Sequence, residues 1–515
     1  MTARAKPDAV TRELKAEGCQ VQLDLTPQVL SLSMPLKEPH WRHGALTAVP
    51  EASDFVSASM LAIHGKLFDD GLYAAAELAA QDNKAKLLLK LAGISPLVDA
   101  AARLGGLTVP TSNAVDTIIQ EFLSSELGSK PIGFHTWSEA LGRIFQQDRL
   151  LQQELKQSEA AALADAARNE PEYGACLDFI ARLTNPLVDE KPDLRRPGGR
   201  FFFPPSRAHE TELVKRLIGG NPIPDGFSLA KELVKRLRSG ALDLTPGPAS
   251  GWYDWQTWAL EPLALLEKMP EGRRVRIDRG YREQLEELFK AVLSLTRETH
   301  VKQLEAPFEG AMGPFSLEDE TIITVVPDLK VEPLLTYCER RAAGYDFVRG
   351  VLESLRPLHS LRRVTYDGVV SLPLDQELTE ITSLFRGAAA VVGDELGMRR
   401  ATGSDAEHFR RWARARSDTV EDIRMMVPVF YDDQRRQTKV WAILGWATRS
   451  LYVSFATPPI AHIIKGNPII GWSKTSYQVA YPVFEELYVS RILNRDEFRA
   501  HCDCYKTREN IIAHL

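Results

Sequence analysis

The hydrophobic period of this chain changes once, near Arg416, and that switch limits what it can fold into. Upstream, apolar residues recur every three to four positions, the spacing that collects them on one side of a helix. Val115, Ile118, Ile119 and Phe122 make one such stripe, with Ser112 placed to cap it. Leu285, Leu288, Phe289, Val292, Leu293 and Leu295 make another within Tyr281–Thr299. Downstream, the pattern alternates. Met425–Tyr431, Thr438–Leu444 and Leu451–Ala456 read as three strands, and Tyr477, Val479, Tyr481 and Val483 mark a fourth. Asp432 to Arg436 suits a hairpin loop between the first two. Pro482 has no N–H for a ladder, which puts the fourth strand at an edge. The expected fold is mainly α, a multi-helical toroid or irregular bundle, with a small C-terminal antiparallel sheet; it is α+β overall.

Three regions follow. Residues 1–50 are a Pro-punctuated arm with a short helix at Asp8–Gly18, residues 51–416 a multi-helical body, and residues 417–515 the sheet with short closing helices. Ala-rich stretches such as Leu72–Ala80 and Lys84–Leu91 favour helix from 51 to about Gly105. Further helices are expected at Ser112–Leu127, over one long run from Trp137 to about Ala167, at Glu172–Leu183, His209–Ile218, Ser228–Leu237, Glu332–Leu355 and Leu374–Val392. A helix capped by Ser250 must bend or stop near Pro262. Residues 188–206 and 219–226 are loops, Thr321–Val326 is a strand in an irregular stretch, and Asn494-Arg-Asp-Glu497 has a helix-start pattern.

With 515 residues, 44% hydrophobic and 26% charged, the chain has ample material for a core. A net charge of −6, from 63 Lys and Arg against 69 Asp and Glu, argues against nucleic acid as a partner. Five scattered cysteines favour a reducing compartment over a disulfide framework. Neither a secretory apolar core nor a run near the ~20 residues of a membrane span occurs. A cytoplasmic protein with no membrane partner is expected; oligomeric state is not legible.

Three of the nine tryptophans, Trp252, Trp255 and Trp258, stand at intervals of three in Gly251-Trp-Tyr-Asp-Trp-Gln-Thr-Trp258, on neighbouring turns of one expected helix side. Two readings apply. Trp252, Tyr253 and Trp255 line a ligand platform with Asp254 as acid or base, or the rings fill a helix interface. Arg200, in Arg200-Phe-Phe-Phe203 after two glycines, either fixes an anion or sits in a connector pinned by three phenylalanines. His135 is a further ligand-binding candidate, and His209 and Glu210 are further proton-transfer candidates. Asp69-Asp70 and Glu318-Asp-Glu320 read as solvated charges. No cofactor is expected. His40-x-x-His43 and His501-Cys-x-Cys504 lie at opposite ends of the chain, and His209-Glu210 lacks the second His of a zincin helix, so zinc is not expected. The glycine pair at 219–220 is not preceded by a strand, and no nucleophile elbow, Walker loop or kinase signature occurs.

Phe134-His-Thr-Trp-Ser-Glu-Ala-Leu-Gly-Arg-Ile-Phe145, Arg200-Phe-Phe-Phe-Pro-Pro-Ser206 with Pro224-Asp-Gly226, Val331-Glu-Pro333 and Arg495-Asp-Glu-Phe498 occur in an order that resembles an uncharacterised bacterial family of mostly exported or lipid-anchored proteins. The resemblance spans roughly 115–505 and implies fold and boundaries, not chemistry; the family's His-containing hairpin segment appears here as Phe430-Tyr-Asp-Asp433. Pro197-Gly-Gly-Arg-Phe201 and Ser250-Gly-Trp252 with Asp254 are similar to trehalase signatures, but Tyr253 is inserted and the rest of the first signature is absent.

Two functions are expected from these residues. One is a cytoplasmic enzyme with hydrolase- or lyase-like acid–base chemistry on a small polar ring-containing or peptide-like ligand, held between the Trp helix and the Arg200 loop. The other is a non-enzymatic helical scaffold or partner-binding protein that docks through its C-terminal sheet.

Overall fold

The computed structural model describes residues 56, 58–125, 129–131, 133–184, 194, 200–204, 217, 229–265, 331–365, 368–395 and 401–415. It also describes strand residues 275–277, 425–432, 437–456, 463–464, 467–468 and 472–489, and positions 286, 289, 293, 500, 501, 504, 505, 510, 513 and 514. The arm 1–50, His209, Glu210, the strand expected at Thr321–Val326 and the helix start at Asn494 lie outside these residues.

The chain is mainly helical with a small antiparallel sheet. Its helices are α1 (Ala58–Lys90), α2 (Pro96–Leu104), α3 (Asn113–Ser124), α4 (Glu139–Leu151), α5 (Gln157–Ala167), α6 (Pro171–Phe179), α7 (Leu229–Ser239), α8 (Trp252–Ala264), α9 (Leu335–Leu355), α10 (Leu374–Glu395) and α11 (Ser404–Ala415). Serines start three of them. The hydroxyls of Ser95, Ser112 and Ser138 accept from the backbone N–H groups of Val98, Val115 and Leu141 at 3.5, 3.3 and 3.2 Å. Each satisfies a donor with no partner inside its own helix.

The long helix expected from Trp137 to Ala167 is two helices, α4 and α5. The chain breaks at 152–156 because it pairs with a distant segment. Leu155 N–H donates to the Arg200 carbonyl at 2.7 Å, and Phe203 N–H to that of Leu151 at 2.9 Å. The run expected at Glu172–Leu183 is α6 followed by a π-turn, Ile180–Thr184.

Two apolar clusters share α1. The larger gathers Leu72 and Tyr73 of α1 with α8, α9, α10 and α11, and includes Trp252, Tyr345, Phe385 and Phe409. The smaller gathers Leu87 and Leu88 at the end of α1 and Leu91 just after it with α2 to α6 and with Phe202 and Phe203.

The strands are β1 (Val275–Ile277), β2 (Arg362–Thr365), β3 (Gly368–Pro373), β4 (Met425–Asp432), β5 (Gln437–Ala456), β6 (Ile463–Ile464), β7 (Asn467–Pro468) and β8 (Trp472–Val489). The strands expected at 438–444 and 451–456 are one, β5. It pairs antiparallel with β4 and β1 on one side and with β8 on the other. A register shift between Ile443 and Gly445 lets it bend without ending. Pro482 stands opposite Trp446 in β8, which among the described strands has β5 as its one neighbour. β8 lies against α1, and β4 against the 3₁₀ turn Gly133–Thr136. The β2–β3 hairpin and α11 are additional to the elements expected from the sequence.

Candidate functional site

α8 begins one residue later than its sequence suggests. Gly251 is the N-cap, and its N–H donates to Asp254 Oδ2 at 3.0 Å. Ser250, the expected cap, instead accepts from Gly247 N–H at 2.9 Å. Glycine is needed at 251 because a Cβ there would lie 2.8 Å from the Ala181 carbonyl oxygen of the π-turn. Asp254, the candidate acid or base, is thus a buried acceptor for the start of its own helix.

The three indoles do not share one face. Each step of three residues turns about 60° short of a full circle, so two steps spread the rings over about 120°. Trp252 is 1% exposed and packs on Tyr73 of α1 with ring centroids 4.4 Å apart. Tyr253 is equally sealed, 5.7 Å from the Tyr73 ring. Trp255 and Trp258 are half-buried and turn towards α9. Trp255 stacks on Phe347 at 5.4 Å and meets Trp258 edge-on at 5.5 Å. The Arg340 guanidinium covers Trp258 at 4.4 Å.

α8 ends at Ala264, two residues past Pro262, so it stops near the proline as its sequence predicts, and Arg340 serves the carbonyl that the proline leaves without a donor. Proline has no N–H for the carbonyl four residues back. That carbonyl, on Trp258, accepts from Arg340 Nη1 at 2.9 Å, and the same nitrogen reaches Glu261 at 3.0 Å.

Between α1, α8 and α9 lies a buried polar clamp. Asp69 Oδ2 accepts from Gln256 Nε2 and from Arg341 Nη2, both at 3.0 Å, and Asp69 Oδ1 accepts from the Tyr345 hydroxyl at 2.8 Å. Burial works to lower the Arg341 pKa, but the Asp69 charge, the Tyr345 and Tyr337 hydroxyls and the hydrogen bond to Asp69 together outweigh it, so the guanidinium stays charged. Burial raises Tyr345 and Tyr73 well above the phenol range. Asp70, next in the chain, pairs with Lys66, and burial still lifts its carboxyl above the usual range. The reading of Asp69-Asp70 as solvated charges is therefore corrected. The pair is buried in the middle of α1, in an Ala- and Leu-rich helix that offers no solvated loop. Gly65 permits the clamp, since a Cβ there would lie 2.6 Å from Arg341 Nη2.

The other candidates are dispersed. Arg200 pairs with Glu154 at 3.2 Å, and its neighbours Phe202 and Phe203 belong to the smaller cluster. Trp252 belongs to the larger one, so the Arg200 loop and the Trp helix are not brought together. His135 is buried between Phe134 and Phe145, at 4.2 and 5.3 Å, and Phe134 stacks on Tyr73 at 6.2 Å. It shares the aromatic core of Trp252 and Tyr253.

A narrow cleft opens where α1, α4, α6 and the end of α9 meet, lined by Asn83, Lys84, Asp148, Cys176, Phe179 and Leu355. Lys84 Nζ donates to Asp148 at 2.6 Å, with both side chains nearly sealed. Burial pushes the Cys176 thiol up to about 12, which keeps it protonated and a poor nucleophile at neutral pH. Near the C-terminus, the buried His501 packs on Tyr505 at 4.8 Å. No described helix is long and apolar enough to cross a membrane.

No family model, no curated protein and no solved structure matches this chain.

Proposed function

We propose that this protein is a non-enzymatic partner-binding scaffold, whose helical body carries an antiparallel sheet and whose strand β8 receives an extended segment of a partner polypeptide. One observation carries the reading. β8 runs for 18 residues, paired along its length with β5 and, among the described strands, with nothing on its other side. An edge strand presents a row of N–H and C=O groups, and adding a strand to such an edge is a recurrent mode of peptide capture. Pro482 supplies no N–H and divides the edge, which assigns the incoming segment to 472–481. The polar side chains that suggest chemistry in the sequence add support, because they have architectural partners: Asp254 with Gly251 N–H, Arg200 with Glu154.

Peptides selected from a displayed library on the full chain test this. Successive residues of a strand direct their N–H groups to opposite sides. Of Val479→Pro and Ala480→Pro, one therefore interrupts pairing with β5 and the other removes an outward donor. The variant that keeps its melting temperature is expected to lose peptide capture. Undiminished capture by that variant overturns the reading.

A second reading, acid–base chemistry of hydrolase or lyase type on a small polar ligand, is supported by the Lys84–Asp148 pair at the cleft. Its acid is Asp148 rather than Asp254. Ligands that raise the melting temperature of the native chain but not of Lys84→Gln support it; ligands acting equally on both oppose it.

A further inference from the structure

We infer that His64 is a proton-sensitive latch for α11, holding that helix on α1 while its ring is neutral and releasing it when the ring takes up a proton. His64 stands on α1 with its ring 5.2 Å from that of Trp412 on α11, tilted by 56°. The Trp412 indole N–H is buried and meets no acceptor among the described residues. A neutral imidazole brings no charge beside this N–H; a protonated one has donors only and sets a positive ring next to an N–H that has no acceptor among the described residues.

The charges around His64 point the same way. From β2 the facing group is Arg363, whose guanidinium lies 5.0 Å over the Phe68 ring, one turn along α1 from His64. From α10 it is Glu377, whose Oε1 accepts from Arg363 Nε and Nη2 at 3.0 and 2.8 Å and whose Oε2 is buried with no hydrogen-bond partner among the described residues. From α11 it is the uncharged Trp412, with His408 one turn earlier. On α1 itself, Lys66 is paired with Asp70, and Asp69 with Arg341. Burial first, and the Arg363 charge second, hold the His64 pKa down to about 4 from its ordinary 6.5. Ala406 and Phe409 anchor α11 in the larger cluster, so His64 and Trp412 set the pH at which that packing gives way. α11 is the last described helix before β4, which makes its docking a natural control point between body and sheet.

Hydrogen exchange in the full chain tests the latch, with rates corrected for their intrinsic pH dependence. Between about pH 7.5 and pH 4, protection over 404–415 should fall at least roughly tenfold more than over 335–355. In His64→Gln, which has no ring to protonate, that selective fall should vanish. The imidazole C–H resonances of His64 in the native chain give a reading free of any variant. A midpoint near 4 that coincides with the loss of protection supports the latch. A midpoint near 6.5 with α11 still protected overturns it, as does an equal fall in both proteins.

Discussion

Asp69 makes the strongest single commitment in the helical body. Its two oxygens take hydrogen bonds from Gln256, Arg341 and Tyr345, on two other helices. Removing it strands a buried guanidinium, and breaking a buried pair from one side costs about 3–5 kcal/mol. Asp69→Ala is expected to show that loss in urea unfolding, while Asp69→Ala with Arg341→Met should recover most of it. The pair at Pro262 makes a subtler case. Arg340→Ala leaves the Trp258 carbonyl without its donor, at a cost of about 1–3 kcal/mol. Pro262→Ala restores an N–H four residues on. The double variant should therefore lose measurably less than the sum of the two single changes, which a double-mutant cycle reads directly.

α1 collects the titrating groups, so acid stability is argued at the element scale. His64 has a folded-state pKa of about 4 against 6.5 when unfolded. Between those values the unfolded chain binds more protons, so stability falls as pH drops from 6.5 towards 4, by no more than on the order of 3 kcal/mol. Asp70 acts in the opposite direction. Its raised pKa makes the folded state the better proton binder as pH falls through that value, so part of the loss is returned at the acid end. Thermal melts across this range should show the decline in the native chain and a flatter profile in His64→Gln.

Much of this element layout is legible in the sequence. The period of 3.6 in α3 and α10 comes from residues that face a core, and such faces write themselves into the order of side chains; the alternation over 425–431 and 477–483 falls on β4 and β8. The split between α4 and α5 does not, because its cause is a backbone pairing with residues 200–203 far along the chain. The clamp is not legible in the sequence, where Asp69 and Asp70 read as solvated charges, because only the helices packed on α1 bury them. Which partners, Arg341 and Gln256, only the packing of α8 and α9 decides. The Trp segment misleads for a geometric reason, since a spacing of three spreads the rings over two neighbouring helices.

Across the whole molecule, two apolar clusters built on α1 accompany a sheet whose last long strand has one partner, β5, among the described strands. The polar groups of the interior join helices to one another, and the recognition assigned to this protein belongs to the edge of β8. The direct test is hydrogen exchange on the full chain with and without a captured peptide, in the native protein and in Asp254→Asn, whose amide oxygen still accepts from Gly251 N–H. The expected result is slowed exchange confined to 472–481, with peptide affinity the same in both proteins. Protection appearing at 251–264, or an Asp254→Asn chain that folds but no longer binds, would contradict it.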